Sequence, residues 1–260
     1  MKAAYAIGKG THRKNNEDSI LFNGLVINGN ADGIQTRHVS AQGVQVWAVA
    51  DGMGGEKDGE FAARTAVSLL SESIESIVRA DEPDGWDRPV FQYADHANTR
   101  IAELAAERGT RMGTTLALLV SGHCHAKAYG IGDSSVYLWR NGRLELLTAR
   151  HTLADQLVRL KALTPEAART DHRRSQLTRF LGMAEEDMIM TPDVSSPVSL
   201  KPGDLFLVCT DGLTSALTDS EIASALGSNC NPQELAHMLI DLTLKTGGAD
   251  NISVVVAAAD

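Results

Sequence analysis

Hydrophobic positions recur with a period of two in residues 44–50, where Val44, Val46, Ala48 and Ala50 interleave with Gln45, Trp47 and Val49. A run so rich in β-branched and aromatic residues predicts a strand with at least one buried face. The strand is expected to stop at Asp51-Gly52, with Gly54 and Gly55 close behind. That would throw a carboxylate off a rigid strand end beside backbone that a ligand can approach closely. Further apolar runs predict strands at 3–8, 19–22, 112–122, 123–140, 144–148 and 204–210, with a last one after Asn251. Asn141-Gly142 is a strong hairpin signal, and Asp32-Gly33, within the Gly- and Asn-rich stretch 24–43, reads as an ordinary hairpin turn. In 59–79 the period changes: Phe61, Ala62, Ala66, Leu69, Leu70, Ile74, Ile77 and Val78 form one helical stripe. Residues 81–89 are expected to break that helix, and 90–108 to form a second one. Later helices are expected at 219–226 and 232–246, with two short ones in 150–186, where Thr164-Pro165 supplies a cap and a first turn.

No period of 20–50 residues recurs and no linker stands out, so the 260 residues read as one domain. It is a layered β core with two helices on each side in sequence terms. Residues 150–186 differ in texture, carrying nine Arg, Lys or His residues between Arg150 and Arg179, and read as a surface-facing excursion from the sheet. A formal charge of −9 argues against a nucleic-acid partner, which needs a basic footprint. No apolar run reaches bilayer-spanning length and the N-terminus lacks a signal-peptide core, so retention in the cytoplasm is expected. Cys124, Cys209 and Cys230 are far apart with no CxxC, which argues against a disulfide framework or structural zinc. His123 and His125 share a strand face but lack a third such ligand nearby, so they read as structural.

Asp18, Asp51, Asp211 and Asp250 each lie at a strand edge or end, next to Gly, Asn or Glu. Each alone is compatible with a turn. If they converge, their repulsion in a poorly solvated site is tolerable only with cations. Oxygen ligands without His or Cys select Mg²⁺ or Mn²⁺ over zinc. Paired hard metals activate water and neutralise a phosphoryl group. Arg13 supplies the bidentate fork that phosphate recognition favours. Spacing alone therefore points to a metal-dependent phosphohydrolase.

The ordered set RKNNED, VADGMGG, MGTTLALL, GIGDSS, LVCTDGL and GADNISVVV closely resembles the metal-dependent, type 2C (PPM) family of Ser/Thr protein phosphatases, from about residue 5 to residue 257. The resemblance implies an α+β fold, a four-layer α-β-β-α sandwich with two central antiparallel sheets flanked by helices. It implies two tight Mn²⁺ or Mg²⁺ sites, and direct hydrolysis by a metal-activated water without a phosphoenzyme. Asp51 matches the ligand that bridges two metals, with the Gly52 carbonyl as a further ligand. Asp211 and Asp250 match the ligands of the first metal, and Asp18 a residue acting mainly through ordered water. Glu17 matches a position that orients such water, and Asn251 the neighbour of the last ligand. Arg13 matches the arginine that holds the substrate phosphate. Asp133 matches the residue that, with Asp211, binds a third, weaker metal. Residues 150–186 match the family's flap.

Three positions depart from the pattern. Met53 stands where many eukaryotic members have a histidine thought to protonate the leaving group, although many bacterial members also have methionine. Ser135 replaces the arginine common after GDS, and Arg150 replaces an acidic residue before the histidine of LTARHT. The implied substrate is a phosphoprotein made by a Ser/Thr kinase, the kinase itself included, met by a monomeric enzyme. LVRLKALTPEAA and LTRFLGM are also similar to members that oppose the kinase of type VI secretion systems. The alternatives are a non-catalytic phosphoprotein-binding regulator, which loss of a metal aspartate would favour, and a hydrolase of small phosphoesters.

Overall fold

The computed structural model describes residues 1–29, 35–40, 43–80, 82–184 and 189–259, excluding the side chains of 35–40 and of Glu56. The chain begins with β1 (Lys2–Gly8), β2 (Asp18–Phe22), β3 (Leu25–Asn28), β4 (Gln35–Ser40) and β5 (Gln45–Met53). Helices α1 (Glu56–Val78) and α2 (Pro83–Arg108) follow. Then come β6 (Gly113–Thr114), β7 (Leu116–Ser121), β8 (His125–Ile131), β9 (Ser135–Arg140) and β10 (Arg143–Leu146). The 150–186 segment holds α3 (Leu153–Arg159), α4 (Pro165–Ala168) and a 3-10 turn, His172–Ser175. The chain closes with β11 (Asp193–Val194), β12 (Val198–Ser199), β13 (Leu205–Cys209), α5 (Asp211–Ala216), α6 (Asp219–Leu226), α7 (Pro232–Lys245) and β14 (Ile252–Ala258). The Asp32-Gly33 turn lies outside the described residues.

Among the described residues the strands form two antiparallel sheets. One runs β10-β9-β13-β14-β1-β4 and the other β11-β8-β7-β5-β2-β3, with β12 pairing to β8 and β6 to β5. Three apolar layers glue the sandwich. Val46, Ala48 and Ala50 of β5 face α1 and α2 through Ala63, Val67, Leu70, Trp86 and Val90. Trp47 and Val49, on the opposite face, meet Ile7, Phe206, Val208 and Val255 of the other sheet. Leu207, Val254 and Val256 turn outward onto Leu213, Ile222, Leu235 and Leu239 of α5, α6 and α7. Strand β5 is therefore buried on both faces, and each large apolar side chain so placed contributes about 1.5–3 kcal/mol. Lys127 and Tyr129 of β8 clamp α2 through Asp87, at 2.7 and 2.9 Å. The Asn141-Gly142 hairpin forms as expected, both residues having positive φ. So do the two short helices, capped by Thr152 and Thr164.

Three boundaries differ from the sequence reading. Strand β5 does not stop at Asp51-Gly52 but continues to Met53, because β6 offers it a partner: Gly52 pairs with Thr114 and Met53 with Gly113. Helix α2 begins at Pro83 inside the stretch expected to break structure. Pro83 sits in the first turn, where no N–H is needed. Pro89 forfeits one helical hydrogen bond, offset by full burial of Trp86, whose Nε1 donates to the Ala80 carbonyl at 2.5 Å. Helix α5, immediately after β13, is too short to leave a periodic trace.

Candidate metal centre

Sheet register brings the carboxylates to one end of the sandwich. Asp18 at the start of β2 lies directly across from Asp51 on β5. In the other sheet Cys209 pairs with both Ser135 and Val254, so the segments carrying Asp133, Asp211 and Asp250 emerge side by side. Backbone packing closes the corner. A Cβ on Gly52 would stand 2.0 Å from the Gly59 carbonyl oxygen, and one on Gly212 would stand 1.9 Å from that of Asn251. Both Asp-Gly pairs are thus close backbone contacts, and neither is a reversing turn.

Asp18 and Asp51 have dedicated supports. The Asp18 Oδ2 accepts from Ser253 Oγ at 2.7 Å and Thr210 Oγ1 at 2.9 Å. The Asp51 backbone N–H donates to Thr115 Oγ1 at 2.9 Å, and its carbonyl accepts from Thr114 Oγ1 at 2.8 Å. Thr115 in turn shares a 2.6 Å hydrogen bond with Ser134. Asn251 Oδ1 accepts from the Glu17 backbone at 2.8 Å, while its Nδ2 donates to the carbonyls of Lys9 and Asn15. Thr114, Thr115, Ser134, Thr210 and Ser253 were not singled out from sequence; the MGTT, GDSS, CTDG and NIS stretches contained them, but hydroxyls beside strands carry no distinctive signal. Arg13 forks onto Asp250 at 2.7 and 2.8 Å, so its guanidinium engages a carboxylate of the cluster.

The carboxyl groups are under mutual strain. Burial, then repulsion from Asp18, Asp211, Asp133 and Asp250, holds Asp51 well above the ordinary carboxylate range. Burial pushes Asp18 up to about 7, against the two hydroxyl donors, and Asp133 up to about 8. Asp211 is raised by burial and by Asp250, and it shares a hydrogen bond with Asp51. Asp18 Oδ1 is a buried oxygen with no hydrogen-bond partner. Among the described residues no three of these side chains already stand in coordinating geometry, with Asp250 turned onto Arg13. An orphaned carboxylate oxygen in an all-oxygen cluster nevertheless fits a hard divalent cation.

A pH prediction follows for chelated protein. Raised folded-state carboxyl pKa values mean that the native state holds extra protons, so stability falls as pH rises towards 8, by about 1.4 kcal/mol per pH unit for each such proton. The window runs from about pH 4, where the unfolded carboxyls titrate, to about 8, where the folded ones finish. Between about 4 and 6.5 the buried His151, pushed down to about 4, offsets one such proton, since its neutral ring is favoured in the fold, so the decline is clearest above pH 6.5. Thermal melts in chelator should show Tm declining from pH 6.5 to 8. A rising Tm would contradict the convergence of charge.

A 560 Å³ cleft opens beside the cluster, lined by Asp133 and Asp211, by Arg150, Arg169 and Arg174 from the 150–186 segment, and by Asp219. The cationic residues of that segment divide. Arg173 is forked onto Asp171 at 2.7 and 2.8 Å, whereas Arg174 faces the cleft and acts on the charge of Asp211. Arg179 is tied to Thr191. Met53 lies beside the centre on β5, and its thioether has no proton to donate.

This fold and this carboxylate corner define a metal-dependent phosphoryl hydrolase. Residues 29–241 match the family described as Protein phosphatase 2C. The chain is 32% identical over 218 residues to the serine/threonine phosphatase stp of Listeria monocytogenes, covering 82% of this chain and 83% of that one. The S. agalactiae serine/threonine phosphatase superposes with a TM-score of 0.86 at 27% identity, over all of both chains. The catalytic domain of the phosphatase PstP, solved in complex with two manganese ions, superposes with a TM-score of 0.74 at 30% identity over 99% of each chain. The chain belongs to the type 2C (PPM) family of bacterial protein Ser/Thr phosphatases. It is a Mn²⁺- or Mg²⁺-dependent hydrolase acting on phosphoproteins, and no described helix is long and apolar enough to cross a membrane.

Proposed function

We propose that Asp51, with the Gly52 carbonyl, is shared between two cations, that Asp211 and Asp250 complete the first site, and that Asp18 and Glu17 hold the ordered water around them. The observation that carries this reading is the convergence of four raised carboxylates, one of them with an orphaned oxygen, beside Asp250 at one end of both sheets. Bound hard cations supply a nucleophilic water near neutral pH and neutralise phosphoryl charge. Asn251 fixes the loop that presents Glu17. Arg13, released from Asp250 when that carboxylate turns to a cation, takes the substrate phosphate through its planar fork. Asp133 and Asp211 form a third, weaker cation site.

The chain acts as one catalytic domain whose 150–186 segment is a flap that selects the protein substrate. Proteins phosphorylated by a Ser/Thr kinase, the kinase included, are the partners, met in the cytoplasm by a monomer. The flap's sequence likeness to type VI secretion members favours that setting. Arg174 on the cleft wall suits an acidic residue flanking the phosphosite; Arg173 is already neutralised. Arg174→Glu should lower kcat/KM on a phosphoprotein about tenfold, less so at high salt, and change aryl phosphate hydrolysis by less than about twofold. Arg173→Glu should do less on either substrate. Parallel losses on both substrates with Arg174→Glu would tie the residue to the metal centre. No loss on either would end the flap reading.

A further inference from the structure

Ser135 and Arg150, two positions near the 150–186 segment that the sequence singles out, touch each other. Arg150 Nε donates to Ser135 Oγ at 3.2 Å, and Ser135 Oγ donates to the Asp133 carbonyl at 3.1 Å. A second guanidinium nitrogen donates to the Tyr137 hydroxyl. A long, flexible cation is thereby pinned at both ends of its fork, beside the loop that carries Asp133. The Arg150 side chain lines the same cleft as Asp133 and Asp211. Its charge reaches Asp133, and both groups feel Asp155, which Thr152 holds. Among the described residues Asp133 has no ion pair of its own, and Arg150 is the cation whose charge acts on it. A guanidinium stays protonated at any working pH and cannot be titrated away. Its repulsion of a divalent ion in a poorly solvated cleft is correspondingly permanent.

We propose that Arg150 is a built-in cation of the cleft, which offsets the charge of Asp133 and so keeps the third divalent-cation site of this chain weak. This rests on the reading of Asp133 and Asp211 as cation ligands. The consequence is an enzyme that works with two ions, with the Asp133 sector left to the tethered guanidinium.

The test counts bound Mn²⁺ directly, by equilibrium dialysis with the electron paramagnetic resonance signal of the free ion as readout. Wild type, R150M, R150K and the double variant R150M/D133N are compared. R150M keeps the aliphatic stem and removes the charge; it should bind a third Mn²⁺ at least about tenfold more tightly than wild type, the factor produced by ~1.4 kcal/mol of relieved repulsion. R150K loses the fork but keeps the charge, and should stay near wild type. R150M/D133N should lose the gain. The proposal is overturned if R150M and wild type bind the third ion equally, if R150K tightens it as R150M does, or if the gain survives without Asp133. Should R150M fail to fold, wild type still decides, because a third ion held as tightly as the second overturns the proposal. Absence of all Mn²⁺ binding would overturn the metal centre with it, whereas a failure confined to the third ion leaves the two-ion reading standing.

Discussion

Asp51→Asn is expected to remove turnover by at least about a thousandfold, equivalent to ~4 kcal/mol of transition-state stabilisation, while the fold persists. The substitution is nearly isosteric, and it leaves untouched the backbone bonds that Asp51 makes to Thr114 and Thr115. Strand β5 keeps its apolar contacts on both faces. What is lost is the carboxylate that feels Asp18, Asp211, Asp133 and Asp250 together. No neighbour can replace it, since Met53 is a thioether and Gly52 offers only its carbonyl. The same change should stabilise the protein in chelator, because a buried charge surrounded by like charges is removed. Each kcal/mol so gained raises Tm by about 2–4 °C for a chain near this size. Steady-state kinetics and chelated melts on one preparation check both halves. Retained turnover would dismiss Asp51 as the shared ligand, and a lower Tm would show that the cluster is not strained by repulsion.

Much of this arrangement was legible in the sequence because it depends on local pattern. The period-two run at 44–50 marks β5, Asn141-Gly142 marks the β9–β10 hairpin, and Asp18, Asp51, Asp133, Asp211 and Asp250 stand out as carboxylates at strand ends. Long-range pairing was not legible. Strand β5 runs on to Met53 only because β6, some sixty residues later, pairs with it. The Gly52 and Gly212 requirements come from the Gly59 and Asn251 carbonyls, which no local signal announces. Helix α2 starts early because Pro83 suits its first turn and a buried Trp86 offsets Pro89. Arg13 meets Asp250 across nearly the whole chain. Ser135 and Arg150, two separate departures in sequence, become one contact in space. Local pattern thus marks the carboxylates, while their pairings and their hydroxyl supports depend on sheet order.

The carboxylate corner is expected to work only with hard divalent cations. The decisive measurement is release of phosphate from a phosphoprotein and from an aryl phosphate by protein stripped with chelator and dialysed, then titrated with Mn²⁺ or Mg²⁺. The donor set is all oxygen, one of its oxygens has no partner in the protein, and its carboxyl groups are raised by burial and by one another. Stripped protein should therefore be inactive on both substrates while remaining folded, and either ion should restore turnover. Zn²⁺, which prefers His and Cys ligands, should restore little. Full activity after stripping, on either substrate, would contradict the account.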